Sequence, residues 1–147
     1  MNNVYLLIVA VAGAGIAVQL LINTQLRVTS GSALWSSAAQ FLLGFAGLIV
    51  ASLVAREPLP SPATLARGPW WMWLGGLLGA VYILVSVLMS RRLGATVLLA
   101  ATVVGQLVMA LLIDHYGWLG APAIRLSTSR VLGVALVVCG VIVMRWR

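Results

Sequence analysis

Apolar residues run along this chain in blocks rather than in stripes. Five long uncharged stretches, residues 1–26, 28–55, 68–90, 93–113 and 131–144, lie between its charged side chains. None keeps the continuous polar face that a soluble amphipathic helix turns to water. A helix apolar on all sides belongs in a bilayer, whose core of about 30 Å takes roughly 20 helical residues per crossing. The pattern therefore predicts an all-α integral membrane protein, one membrane domain over 1–147, with five transmembrane helices over about 4–26, 33–55, 70–90, 95–113 and 128–145.

The punctuation between the blocks sharpens the ends. Thr29-Ser30-Gly31-Ser32 offers hydroxyls to cap the second span, because the first N–H groups of a helix lack intrahelical partners. Arg56-Glu57-Pro58 stops it, and Pro58-Leu59-Pro60-Ser61-Pro62 is expected to be non-helical, since each proline lacks a donor and restrains its predecessor. Pro69 suits a first helical turn, and Trp70, Trp71 and Trp73 form an interfacial aromatic belt. Arg91-Arg92 ends the third span only a few residues before the fourth begins near Gly94, which predicts a tight turn between antiparallel neighbours. The last uncharged block, Val131 to Met144, covers only about 21 Å at 1.5 Å per residue. It reaches crossing length with an N-cap at Ser127, Thr128 or Ser129 and with Arg130 and Arg145 reaching toward headgroups.

Composition excludes a water-soluble domain: 63% of residues are hydrophobic and 7% charged, against about a quarter charged in ordinary domains. All nine basic residues are arginines, placed singly or in pairs between apolar blocks. That scatter suits lipid phosphates, whereas a nucleic-acid partner would require a clustered patch. The first span has no basic leader and reads as a retained helix rather than a cleaved signal. Cys139 is the single cysteine and His115 the single histidine, so no intramolecular disulfide, metal site or cofactor is expected. Asp114-His115 with Ser127 or Ser129 contains the residue types of a hydrolytic triad, but no nucleophile motif accompanies them, and the chain does not read as an enzyme.

Arginines count almost evenly by side. Arg56, Arg67, Arg125 and Arg130 fall on one side of the expected topology, and Arg27, Arg91, Arg92, Arg145 and Arg147 on the other. Orientation normally follows the excess of positive charge, so this near-balance predicts dual topology. Two copies of a five-helix chain inserted oppositely are related by a two-fold axis in the membrane plane, the inverted-repeat plan of many secondary transporters. An antiparallel homodimer of ten helices is the expected assembly. Gly75 with Gly79, Ala101 with Gly105, and Gly133 with Gly140 offer small-residue seams for helix packing. The last pair makes the fifth span a candidate dimer contact.

Polar groups inside a bilayer need a partner or a cavity. Gln19 and Asn23 lie four residues apart on the first span, Gln40 follows Ser36 and Ser37 on the second, and Gln106 follows Thr102 on the fourth. Gln19, Asn23, Gln40 and Gln106 are the candidate substrate-binding residues, lining an uncharged cavity suited to a small neutral solute. The alternative is structural: amides bonding one another across helices, each contributing about 1 kcal/mol or less. No Asp, Glu, Lys, Arg or His falls near the middle of a predicted span. Asp114, with His115, is the candidate gating or coupling group at one mouth, or else a structural carboxylate paired with an arginine such as Arg125.

Several of these blocks have a familiar pattern. Gln19 and Asn23 with Leu26, the run from Pro69 through Gly79, Gly105-Gln106-Leu107, and Leu112-Ile113-Asp114-His115-Tyr116-Gly117 resemble the YdcZ-type family of the drug/metabolite transporter superfamily. The resemblance extends over essentially the whole chain. It implies a bacterial inner-membrane protein of five helices, half the size of larger superfamily members built from two inverted repeats. The plan is also similar to that of small multidrug resistance exporters, which pair antiparallel. Those carry a membrane-embedded glutamate in the first helix, where this chain has Gln19 and Asn23. The expected function is a small inner-membrane secondary transporter moving an organic solute by alternating access. A non-transporting accessory subunit and a dual-topology channel are the alternatives.

Overall fold

The structure, a computed structural model, describes residues 3–146; Arg147, counted among the flanking arginines, lies outside the described residues. Among the described residues six α-helices follow one another: α1 (Asn3–Ser30), α2 (Ala33–Ala55), α3 (Pro62–Ala66), α4 (Leu74–Leu93), α5 (Ala95–Tyr116) and α6 (Thr128–Arg145). Tight 3-10 turns precede α4 at Trp70–Trp73 and follow α5 at Trp118–Gly120. Five helices of the described residues are long and apolar enough to cross a membrane: Asn3–Ser30, Ala33–Ala55, Trp70–Leu93, Ala95–Tyr116 and Thr128–Arg145.

The caps explain where each helix begins. Ser32 accepts from the Trp35 N–H at 3.2 Å and opens α2, while Ser127 accepts from the Arg130 N–H at 3.4 Å and opens α6. The proline-rich loop departs from expectation at its end. Pro62 is the first residue of α3 rather than the last of an irregular loop, and Ser61 caps it through the Thr64 N–H at 3.2 Å. Proline is tolerated there because its missing donor would have had no partner.

Three helices run past the charges expected to stop them. α1 continues beyond Arg27 to Ser30, α4 beyond Arg91-Arg92 to Leu93, and α5 beyond Asp114-His115 to Tyr116. In each case the terminator is a following glycine with positive φ: Gly31 at 70°, Gly94 at 74° and Gly117 at 65°. A charge near a helix end can be hydrogen-bonded or can reach the interface, but only glycine enters these backbone regions without strain.

Contacts group the chain into two compact units, Met1–Arg91 and Arg92–Arg147. In the first, α1 packs on α2 and is tied to α4 through side-chain hydrogen bonds. In the second, α5 packs on α6. Burial is inverted relative to a soluble domain. Among the described residues, Leu20, Val87 and Leu98 are the buried apolar ones, whereas Asn23, Ser36, Ser37, Ser86 and Ser90 are the buried polar ones. Large apolar side chains such as Leu43, Leu53, Leu78 and Leu136 face outward. That partition suits lipid as the surrounding solvent, where apolar side chains gain little by moving inward and polar ones gain partners.

The small-residue seams are looser than the spacing suggested. A Cβ added at Gly75, Gly105, Gly133 or Gly140 would meet nothing within 4 Å, while at Gly79 it would meet the Phe41 ring at 3.5 Å. Of those five glycines, Gly79 is the one that brings a neighbour close.

Candidate functional site

Sequence spacing puts three sets of polar residues on three helices of the first unit. α1 carries Gln19, Asn23 and Thr24, α2 carries Ser36, Ser37 and Gln40, and α4 carries Tyr82, Ser86 and Ser90 at intervals of four. At 1.5 Å per residue, Gln19 and Gln40 lie about 17 and 11 Å from the α1–α2 turn, well inside the apolar length of both helices. A groove of about 530 Å³ opens there, lined by Gln19 from α1, Gln40, Phe41, Gly44 and Phe45 from α2, and Tyr82 from α4, among others. A second, much smaller cavity of about 10 Å³ lies against Gln19, Asn23, Tyr82 and Ser86.

Most of the hydroxyls in this unit are occupied locally. Ser36 and Ser37 donate to the Ala33 carbonyl at 3.0 and 2.8 Å. Thr24 bonds the Leu20 carbonyl at 2.7 Å and Ser90 Oγ at 2.9 Å, and Ser90 bonds the Val87 carbonyl at 3.0 Å. Gln40 differs. Its Oε1 is buried and has no hydrogen-bond partner, although it belongs to a residue lining the larger groove. An acceptor desolvated without a partner costs about 1–3 kcal/mol, and a bilayer core supplies no water to relieve it.

Of the four candidate amides, the first unit thus brings together three. Gln19 lines both cavities, Gln40 the larger and Asn23 the smaller. Gln106 stands on α5 in the second unit and is exposed. Asp114 pairs with Arg130 rather than Arg125: Arg130 Nη1 donates to Asp114 Oδ2 at 3.1 Å, linking the end of α5 to the start of α6. Both residues line a groove of about 330 Å³ with Leu111, Gly133 and Val137. His115 is exposed and meets the Tyr116 ring edge-on at 4.8 Å between centroids.

Sequence reasoning passed over the contribution of α4. Tyr82, Ser86 and Ser90 recur every four residues and so share a helical face, which marks α4 as the third wall in the same way that Gln19 and Asn23 mark α1. Phe41 and Phe45 carry the same spacing on α2 but are indistinguishable, by type alone, from lipid-facing aromatics.

The helices are those of a polytopic membrane protein, and the first unit carries a groove between three of them. The chain belongs to the family described as "Putative inner membrane exporter, YdcZ", whose family model matches residues 4–143. It is 28% identical over 130 residues to Inner membrane protein YdcZ of Escherichia coli (strain K12), covering 88% of this chain and 86% of that relative. No solved structure matches. The expected family resemblance is therefore confirmed, and the chain is a multi-pass inner-membrane protein.

Proposed function

We propose that this protein is a small exporter that moves an uncharged organic solute, with the groove between α1, α2 and α4 as its cargo site. One observation carries the reading: the buried, unpartnered Oε1 of Gln40 at the wall of a groove of about 530 Å³. Binding sites are concave, mostly apolar and furnished with a few directed polar groups, and this groove combines Phe41, Phe45 and Tyr82 with the Gln19 and Gln40 amides. The family's description as an inner-membrane exporter supports the same reading.

Among the described residues, the groove lining carries no carboxylate, histidine or basic side chain. An uncharged cargo enters such a site without leaving an unpaired ion in low dielectric. Alternating access follows from two oppositely inserted copies rocking about the site, an antiparallel homodimer supported by the even arginine distribution. Within the second unit, Gln106 is a further polar candidate for contact with solute, and Asp114, paired with Arg130 and followed by His115, is the candidate gating or coupling group.

The experiment compares solutes in the medium of cells making this chain with those of cells making Gly44→Phe. Gly44 lines the groove, and a Cβ there meets nothing within 4 Å, so a side chain can start from this position and its ring takes up groove volume. An exporter changes the external level of at least one solute, and Gly44→Phe abolishes that change at equal membrane abundance. Identical profiles for the two chains overturn the reading.

A further inference from the structure

We infer that the cargo is a hydrogen-bond donor, an uncharged flat molecule bearing one N–H or O–H, and that Gln40 is the residue that selects it. The inference rests on the groove being the cargo site and adds the chemistry by which that site chooses.

Thr24, Ser36, Ser37 and Ser90 already spend their hydrogens on main-chain carbonyls or one another, and among the described residues no serine or threonine lines the groove itself, Ser86 lying against the smaller cavity. Gln40 Oε1 is buried and unpartnered, and as an acceptor it is completed only by a donor. A site whose buried polar group is left unpaired by the wrong ligand rejects that ligand far more strongly than an apolar wall rejects a misfit. Phe41, Phe45 and Tyr82 supply ring faces and edges around that acceptor, and aromatic side chains favour flat ring-bearing partners in stacked or edge-on arrangements. Donor and ring together define the class, and an analogue with the same ring but no donor is discriminated against.

Indole and benzofuran form the test pair: both are fused five- and six-membered aromatic rings, and benzofuran has an ether oxygen where indole has N–H. Binding of each to the full chain in lipid nanodiscs is measured by calorimetry, with empty nanodiscs subtracted, for wild type, Gln40→Met and Gly44→Phe. Wild type is expected to bind indole about tenfold more tightly than benzofuran. Gln40→Met, which keeps the side-chain length and removes the acceptor, is expected to bring the two within about twofold, and Gly44→Phe to remove both. Equal binding of the pair by wild type, or a preference for indole that persists in Gln40→Met, overturns the donor inference while leaving the groove as a binding site. Binding that survives Gly44→Phe lies elsewhere and overturns the groove reading with it.

Discussion

Arg27 Nη1 donates to the main-chain carbonyl of Val87 at 2.8 Å, joining α1 to α4 across sixty residues of sequence. Val87 is the most enclosed apolar residue, 1% exposed, so this arginine reaches inward to the helix interface and not only outward to lipid. The same carbonyl accepts from Ser90, and a second, longer contact runs from Arg27 to the Leu88 carbonyl at 3.4 Å. Arg27→Ala is expected to destabilise the first unit by about 1 kcal/mol, the scale of interhelical hydrogen bonds in lipid. Arg27→Lys, with one compact ammonium in place of the planar fork, recovers part of that loss. Thermal unfolding of the two variants in one detergent checks the ranking, and equal midpoints for Arg27→Ala and wild type would show that the contact contributes nothing.

Glycine substitutions separate helix terminators from helix interiors. Gly117 has φ at 65°, and a Cβ there would stand 3.2 Å from the Ala121 carbonyl oxygen and 3.3 Å from the Ala123 Cβ. Gly117→Ala is expected to destabilise the α5 end by about 2 kcal/mol, combining left-handed strain with the close approach. Gly105 lies within α5, with open space where a Cβ would go, and alanine is the better helix former by roughly 0.5–1 kcal/mol. Gly105→Ala is therefore expected to be neutral or stabilising. The midpoint shifts of the two variants should have opposite signs or differ by several degrees.

The contrast also shows what was legible in the sequence. Five uncharged blocks were enough to identify five crossings, because a bilayer imposes one length and one polarity on each span. The helix ends were less legible, since the block pattern assigned to Arg91-Arg92 and Asp114 a stopping role that belongs to Gly94 and Gly117. Position relative to charge is visible in a sequence, but backbone φ is not. Among the site residues, Gln19, Asn23 and Gln40 stood out as amides in apolar surroundings. Tyr82 and Ser86 did not, because their four-residue spacing acquires meaning only once α4 is known to pack near α1. Asp114 was recognised as a residue needing a partner. The choice of Arg130 over Arg125 depends on the turn between α5 and α6, where the Ile124 N–H bonds the Asp114 carbonyl at 2.6 Å.

The Asp114–Arg130 pair is a weak strut. Its side chains are 37% and 45% exposed, and exposed ion pairs contribute about 0.2–1 kcal/mol. A double-mutant cycle of Asp114→Asn and Arg130→Gln is expected to give a coupling energy within that range, with all four chains folded. If the pair gates transport, solute export should change several-fold in Asp114→Asn while the unfolding midpoint moves by only a degree or two. A loss of export that merely follows loss of folded protein would assign the pair to structure alone.

An antiparallel dimer, as proposed, would have a cross-linking signature that no parallel dimer shares. Gly133 and Gly140 lie seven residues apart on one face of α6, both with open space where a Cβ would stand, and Cys139 beside them is exposed. If two α6 helices meet along this face about a two-fold axis in the membrane plane, opposite ends come together. A cysteine near the start of α6 then approaches one near the end of the other copy and not its own counterpart. In a Cys139→Ser background, coexpressed Ser129→Cys and Met144→Cys chains are expected to form the mixed disulfide, with either chain alone giving little dimer. A parallel pair gives the reverse, strong self-linking for each chain and no mixed product. Paired reporters fused to the C-terminus supply an independent check: activity on both sides of the membrane accords with dual insertion, whereas activity on one side removes the antiparallel homodimer.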